Sequence, residues 1–277
     1  KEATTPMVEL DTSGNAVDVE LDDSKANTKE VETKKEDPVV EVYNYFPLTL
    51  SSYWNYNNEN EEGIAKDSLY TSSNEVLNGL NYTKFIASEP ISGFMTSMMS
   101  QNLMRTTESK LFLNGEFGTP LIESFPDISI PLTDLIIYDK EAENGTLLSE
   151  EIGEISEIID DIPIIINYTI STIQGDILDE GTGAFTTNKV LTSSIILNLS
   201  ISTNIEILGT VIVIPILQAQ DVIKTTNYFA SGVGLIFSES LIEYELEDLS
   251  SLGIDLPIPS EDSSSATQNI NTYQIGN

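Results

Sequence analysis

The chain has 277 residues, 40% of them hydrophobic, and carries 45 acidic against 12 basic side chains, a formal charge of -33. That length supports one large domain with a buried core, while the charge repels nucleic-acid backbones and anionic membrane surfaces, so neither is an expected partner. Cysteine and histidine are both absent, which excludes disulfides, zinc and haem sites built on those ligands and histidine-activated nucleophiles; no cofactor is expected and the chain reads as a non-enzyme.

Residues 1–42 hold 12 of the acids and 5 of the bases among Ser, Thr, Asn and isolated valines. That composition buries too little apolar area to offset chain entropy, so a disordered acidic tether is expected. A start at Lys1 rather than Met fits either a removed signal segment or an arbitrary boundary.

Residues 43–259 follow a period of two and are expected to form an antiparallel β domain. In Tyr45-Phe46-Pro47-Leu48-Thr49-Leu50-Ser51-Ser52-Tyr53-Trp54-Asn55-Tyr56, alternating Tyr45, Leu48, Leu50, Tyr53, Trp54 and Tyr56 suit a strand entering the core. Asn78-Gly79, Asn114-Gly115 and Asn144-Gly145 offer the positive φ of tight turns, so hairpins are expected over Asp67–Ser88 and Met104–Ile122. Between them, Phe94, Met95, Met98, Met99 and Leu103 recur at three- and four-residue spacing and predict a helix over Ser92–Leu103. A second helix is expected over Ser149–Ile159, with Ile152, Ile155 and Ile159 on one side and Ser149 as its cap. Further strands follow at Ile164–Ile170, at Leu197–Ile207 and at Ile242–Leu246, each apolar on alternate residues. Residues 260–277 read as a polar linker, Ser260–Thr267, then an edge strand or a trailing end over Asn269–Ile275. No stretch reaches the roughly 18 apolar residues of a membrane-spanning helix.

These elements predict a mostly β fold with a few helices (α+β): a large twisted antiparallel sheet or open half-barrel with short helices on its concave face, or alternatively a β-sandwich. The opening phrase, followed by Asp67-Ser68-Leu69-Tyr70, resembles the first strand of lipoproteins common in Bacteroidetes and especially flavobacteria. Tyr228-Phe229-Ala230-Ser231-Gly232-Val233-Gly234-Leu235-Ile236 is similar to the hairpin that closes the same domains. Ser51-Ser52 stands where a glycine is usual. The resemblance implies a lipidated cysteine just before Lys1, an extracytoplasmic place in the periplasm or outer membrane, and a half-barrel similar to the lipoprotein-carrier and mycobacterial lipoprotein folds; it implies no activity.

Four of the five methionines lie within ten residues beside Phe94. Methionine adapts to irregular apolar partners, so Phe94, Met95, Met98, Met99 and Leu103 are the candidate ligand-binding residues, with a gap-filling core helix as the plainer reading. Asn58, Asn60, Glu62 and Gly63 mimic half a calcium loop, but Leu69 stands where its closing glutamate belongs. With so many acids, a hydrolytic carboxylate pair is easily found by chance. Two functions are thus expected to compete: a carrier of a lipid or other apolar ligand, needing a cavity of several hundred cubic ångströms, and a structural component of the cell envelope that binds an envelope protein.

Overall fold

The computed structural model describes residues 44–119, 128–159, 162–181, 183–207, 209–250 and 259–277. The chain divides into two units, Lys1–Glu41 and Val42–Asn277; the expected tether over 1–42 lies outside the described residues.

Twelve strands form one antiparallel sheet: β1 Tyr53–Asn60, β2 Gly63–Leu77, β3 Leu80–Ala87, β4 Leu103–Thr106, β5 Lys110–Thr119, β6 Ile128–Asp139, β7 Leu147–Ile159, β8 Ile162–Leu178, β9 Val190–Ile207, β10 Thr210–Ala230, β11 Gly234–Glu245 and β12 Glu261–Gln274. Among the described residues one α-helix, α1 Phe94–Ser100, sits between β3 and β4, and a single 3-10 turn spans Gly183–Phe185. The spatial order is β6-β5-β4-β3-β2-β1-β12-β11-β10-β9-β8-β7. Each strand therefore lies beside its neighbour in sequence, and β12 rejoins β1. The half-barrel expectation holds in a more complete form, for the sheet curls into a nearly closed barrel.

The single gap falls between β6 and β7. It is bridged by side chains rather than a ladder: the Ile136 N–H donates to Ser149 Oγ at 2.9 Å, Thr172 Oγ1 donates to the Ile136 carbonyl at 2.6 Å, and the Asp139 N–H donates to Gln174 Oε1 at 2.9 Å. Such bonds satisfy edge groups that would otherwise template pairing with another chain.

Period-two alternation puts one side chain in two inside. Ile164, Ile166, Tyr168 and Ile170 of β8 and Leu197, Leu199 and Ile201 of β9 are buried as expected. Aromatic rings fill the lumen: Phe46 stacks on Trp54 at 5.2 Å between centroids and meets Phe85 and Phe229 edge-on, while Tyr138 lies 5.1 Å from Phe229. Trp54 Nε1 donates to the Val233 carbonyl at 2.6 Å and the Tyr56 hydroxyl to that of Leu235 at 3.1 Å, tying the opening phrase to the β10–β11 turn. Gly234, at φ +114°, sits in a conformation that side chains rarely adopt, and a Cβ there would press on Trp54 Nε1 at 3.0 Å. The phase of the opening phrase differs from expectation: the strand starts only at Tyr53, and Leu50 and Tyr53 face solvent while Trp54 and Tyr56 point in.

Four further expectations are corrected. Ser149–Ile159 is strand β7, paired residue for residue with β8 from Glu150 opposite Ser171 to Ile159 opposite Ile162. Its β-branched isoleucines and Gly153 weaken a helix, the available partner strand supplies a full ladder, and Ser149 serves the seam instead of a cap. The first helix is shorter than Ser92–Leu103, because Leu103 already pairs with Asn114 in the sheet. Asn114-Gly115 makes no turn but a bulge inside β5, where the Glu116 N–H donates to Asn102 Oδ1 at 2.6 Å, whereas Asn78-Gly79, with φ of 53° and 80°, does close the β2–β3 hairpin. The supposed linker Ser260–Thr267 and edge strand Asn269–Ile275 form one interior strand, β12, bonded to β1 and β11 on either side.

On the outer face, Arg105 pairs with Asp134 at 3.0 Å and lies 3.7 Å over the Phe112 ring, while the Tyr82 hydroxyl donates to Asp134 at 2.6 Å. Burial alone would raise the Asp134 carboxyl, but the hydrogen bonds from Arg105 and Tyr82 and the Arg105 charge hold it below its ordinary value.

Two outcomes follow for stability. Trp54→Ala is expected to cost about 3–5 kcal/mol and Trp54→Phe about 1–3 kcal/mol, the latter from the unpaired Val233 carbonyl, in urea unfolding followed by circular dichroism. A depressed folded pKa means the Asp134 contribution is present above the ordinary carboxylate range and lost as pH falls through the lower folded value. Asp134→Asn should therefore cost about 1 kcal/mol at pH 7, and the gap to wild type should close as pH drops below about 4.

Candidate functional site

α1 lies on the concave side and is held there by polar side chains from three consecutive strands. Asp67 of β2 accepts from the Ser92 N–H at 3.1 Å, the Gly93 N–H at 2.7 Å and Thr96 Oγ1 at 3.1 Å. Gln268 of β12 accepts from the Met95 N–H at 3.2 Å and donates to Thr96 Oγ1 at 2.7 Å, and Asn58 of β1 donates to Ser92 Oγ at 2.7 Å. A helix of seven residues is marginal alone, and Gly93 supplies no cap of its own, so the barrel wall caps it. At the other end Asn102 donates to the Met98 and Glu116 carbonyls at 2.7 and 2.8 Å, clipping the helix to the β5 bulge.

Beside this helix runs a cleft of about 220 Å³, lined by Phe94, Ser97 and Met98 of α1, Phe117 of β5, Ser240 and Ile242 of β11, and residues 264–266 of β12. Phe94 and Phe117 face each other with centroids 5.9 Å apart. The cleft is a mainly apolar slot with serine hydroxyls among its lining. Of the sequence candidates, Phe94 and Met98 line it. Met95 and Met99 are buried in the main core, and Leu103 is half-buried on β4, so the five do not form one surface.

Asp67 and Gln268 were not among the candidates and Asn58 was read only as part of a calcium-like loop; the one signal in the sequence for this role is a polar residue in the inward phase of a strand. Burial, and secondarily the charge of Asp67, raises the phenol of Tyr56 well above its usual range; burial does the same for Tyr138. Both stay neutral. Asp67 is the one carboxylate buried among the described residues, and its contacts go to the α1 entry rather than to a second acid. The calcium-like residues do not converge: Asn58 points inward, while Asn60 Oδ1 accepts from the Glu62 N–H in the β1–β2 turn. Among the described residues no group of three or more acids is placed to hold a metal ion. A larger open groove of about 640 Å³ is lined by Asp221, Glu243, Glu245, Glu261 and Asp262, like charges that face solvent and offer little apolar surface.

Neither a protein-family model nor a curated protein matches this chain. Among solved structures, a candidate lipoprotein from Parabacteroides distasonis is similar over 84% of this chain and 100% of its own, at 12% identity and a TM-score of 0.36.

Asp67→Asn removes the charge to which the Ser92 and Gly93 amides donate and turns one of the two accepting oxygens into a donor. It is expected to cost about 2 kcal/mol and to speed hydrogen exchange at the Ser92 and Gly93 amides by about 30-fold, read by NMR.

Proposed function

We propose that this chain is a non-enzymatic binding domain of an extracytoplasmic lipoprotein, and that its site is the slot between α1 and strands β11–β12. One observation carries the reading: Phe94, Met98, Phe117 and Ile242 line a recess of about 220 Å³ beside a helix pinned at both ends. A preformed apolar recess with a few polar groups at its edge is the usual form of a small-molecule site. The size narrows the ligand. A cavity of about 150 Å³ accepts benzene, whereas sites for drug-sized ligands span about 300–1,000 Å³. The slot therefore takes one or two fused rings or a short chain, not a whole lipid. The extracytoplasmic place and the lipid anchor rest on the opening and closing phrases of the sequence.

A structural role in the cell envelope, with an envelope protein as partner, is the competing reading. It draws support from the lumen itself, where Phe46, Trp54, Phe85 and Phe229 are buried and packed on one another. One titration separates the two. With methyl-labelled methionines, 2-naphthol is expected to shift the Met98 signal and leave Met7 unmoved, and Ser240→Phe, which fills the slot, should weaken binding at least tenfold while the fold is retained. Methionine signals that stay still at millimolar 2-naphthol would favour the structural reading.

A further inference from the structure

One row of side chains breaks the apolar lining of the barrel. Gln174 of β8 stands opposite Ser193 of β9, Ser193 opposite Asn227 of β10, Asn227 opposite Ser238 of β11, Ser238 opposite Gln268 of β12, and Gln268 opposite Asn58 of β1. Directly opposed residues share a face of the sheet, and the contacts of Gln268 with α1 mark this face as the inner one. A belt of neutral amides and hydroxyls thus crosses six consecutive strands, with no member more than 6% exposed.

The ends of the belt are served by protein except at one atom: Asn58 Nδ2 donates to Ser92 Oγ, while Asn58 Oδ1 finds no partner. Gln174 donates to the Gly175 and Thr192 carbonyls and accepts from the Asp139 N–H, and Gln268 holds α1. The middle is not. Ser193 Oγ, Asn227 Oδ1, Asn227 Nδ2 and Ser238 Oγ find no hydrogen-bond partner, although Ser193 and Asn227 are 0% and Ser238 2% exposed. Four dry polar atoms side by side would cost an amount comparable with the net stability of a domain. On one side the patch is bounded by Thr225 and Ser240, which satisfy each other at 3.0 Å, and on the other by buried Leu191 and Phe229.

We propose that Ser193, Asn227 and Ser238 form a buried receptor for a small neutral guest that both donates and accepts hydrogen bonds. Asn227 supplies one donor pair and one acceptor, and the flanking hydroxyls supply either. Charge is excluded by energetics: no ionised side chain belongs to the belt, and an unpaired ion there would carry its full desolvation cost. Adjacent strands lie about 4.8 Å apart, so the three side chains span about 10 Å. The guest has only a few heavy atoms: one or two waters, each making about three hydrogen bonds, or one small amide or alcohol of the same chemistry. This site is separate from the slot beside α1 and does not depend on a ligand there.

A crystal structure of the full chain at atomic resolution is expected to show density within hydrogen-bond distance of the Asn227 amide. Native mass spectrometry of the same preparation separates the sources: an added mass means an organic guest, and none means water. Both outcomes support the receptor; an empty site, or side chains that have turned to bond one another, overturns it. Asn227→Leu gives an independent readout. With a guest present, the substitution expels it, leaves Ser193 and Ser238 without partners, and lowers Tm. In a dry site it removes unpaired atoms, and an unchanged or raised Tm would refute the proposal.

Discussion

Fourteen residues of low hydrophobicity, Glu261–Gln274, join the two halves of the wall. β12 bonds to β1 on one side and to β11 on the other, so the first strand and the last are brought together and the sheet acquires an inside. Without that double ladder both β1 and β11 would be edges, and their buried rings and amides would face water. Backbone hydrogen bonds make this closure, which explains how so polar a segment occupies so central a place: a ladder uses N–H and C=O groups that every residue but proline carries. Small side chains on β12 line the slot at Ser264, Ser265 and Ala266, while the longer Gln268 reaches α1.

Closure creates a lumen, and the lumen is divided by chemistry. Phe46, Trp54, Phe85, Tyr138 and Phe229 form an apolar mass that ties the opening phrase to the β10–β11 turn. Across six strands runs a polar belt, and two of its members, Asn58 and Gln268, join Asp67 in seating the helix. Polar groups in such a place specify geometry more than they add stability. Asp67, Asn58 and Gln268 determine where seven residues of helix come to rest, and thereby where the slot between Phe94, Met98 and Phe117 opens.

The charge of the protein and the neutrality of its interior are two sides of one arrangement. Acidic side chains line the open groove beside β11 and stand at the exposed positions Glu150, Glu154 and Glu157 of β7, where water screens them. Inside, amides and hydroxyls replace ions, and the buried phenols of Tyr56 and Tyr138 hold their protons. Among the described residues a carboxylate is buried only at Asp67, where two N–H groups and a hydroxyl receive it.

Much of the fold was legible along the chain because alternation is a local property. Ile164–Ile170 and Leu197–Ile201 declare which residues are inside, Asn78-Gly79 declares a reversal, and the lack of histidine and cysteine limits the chemistry whatever the fold. Phe94 and Met98 were readable for the same reason, as neighbours on one helical turn. What pairs with what is not local. Glu150–Ile159 carries spacings that fit a helix, and only the partner β8 makes it a strand. Asn114-Gly115 has turn chemistry, and only the Asn102 clip makes it a bulge. Ser193, Asn227 and Ser238 lie apart in sequence as ordinary polar residues of strands; the register of two ladders sets them side by side and removes them from water. Sequence by itself determined the periodicity and the reactive inventory, because both belong to single residues and their near neighbours. Tertiary structure decided closure, the seat of the helix and the polar belt, because each exists only where distant strands meet.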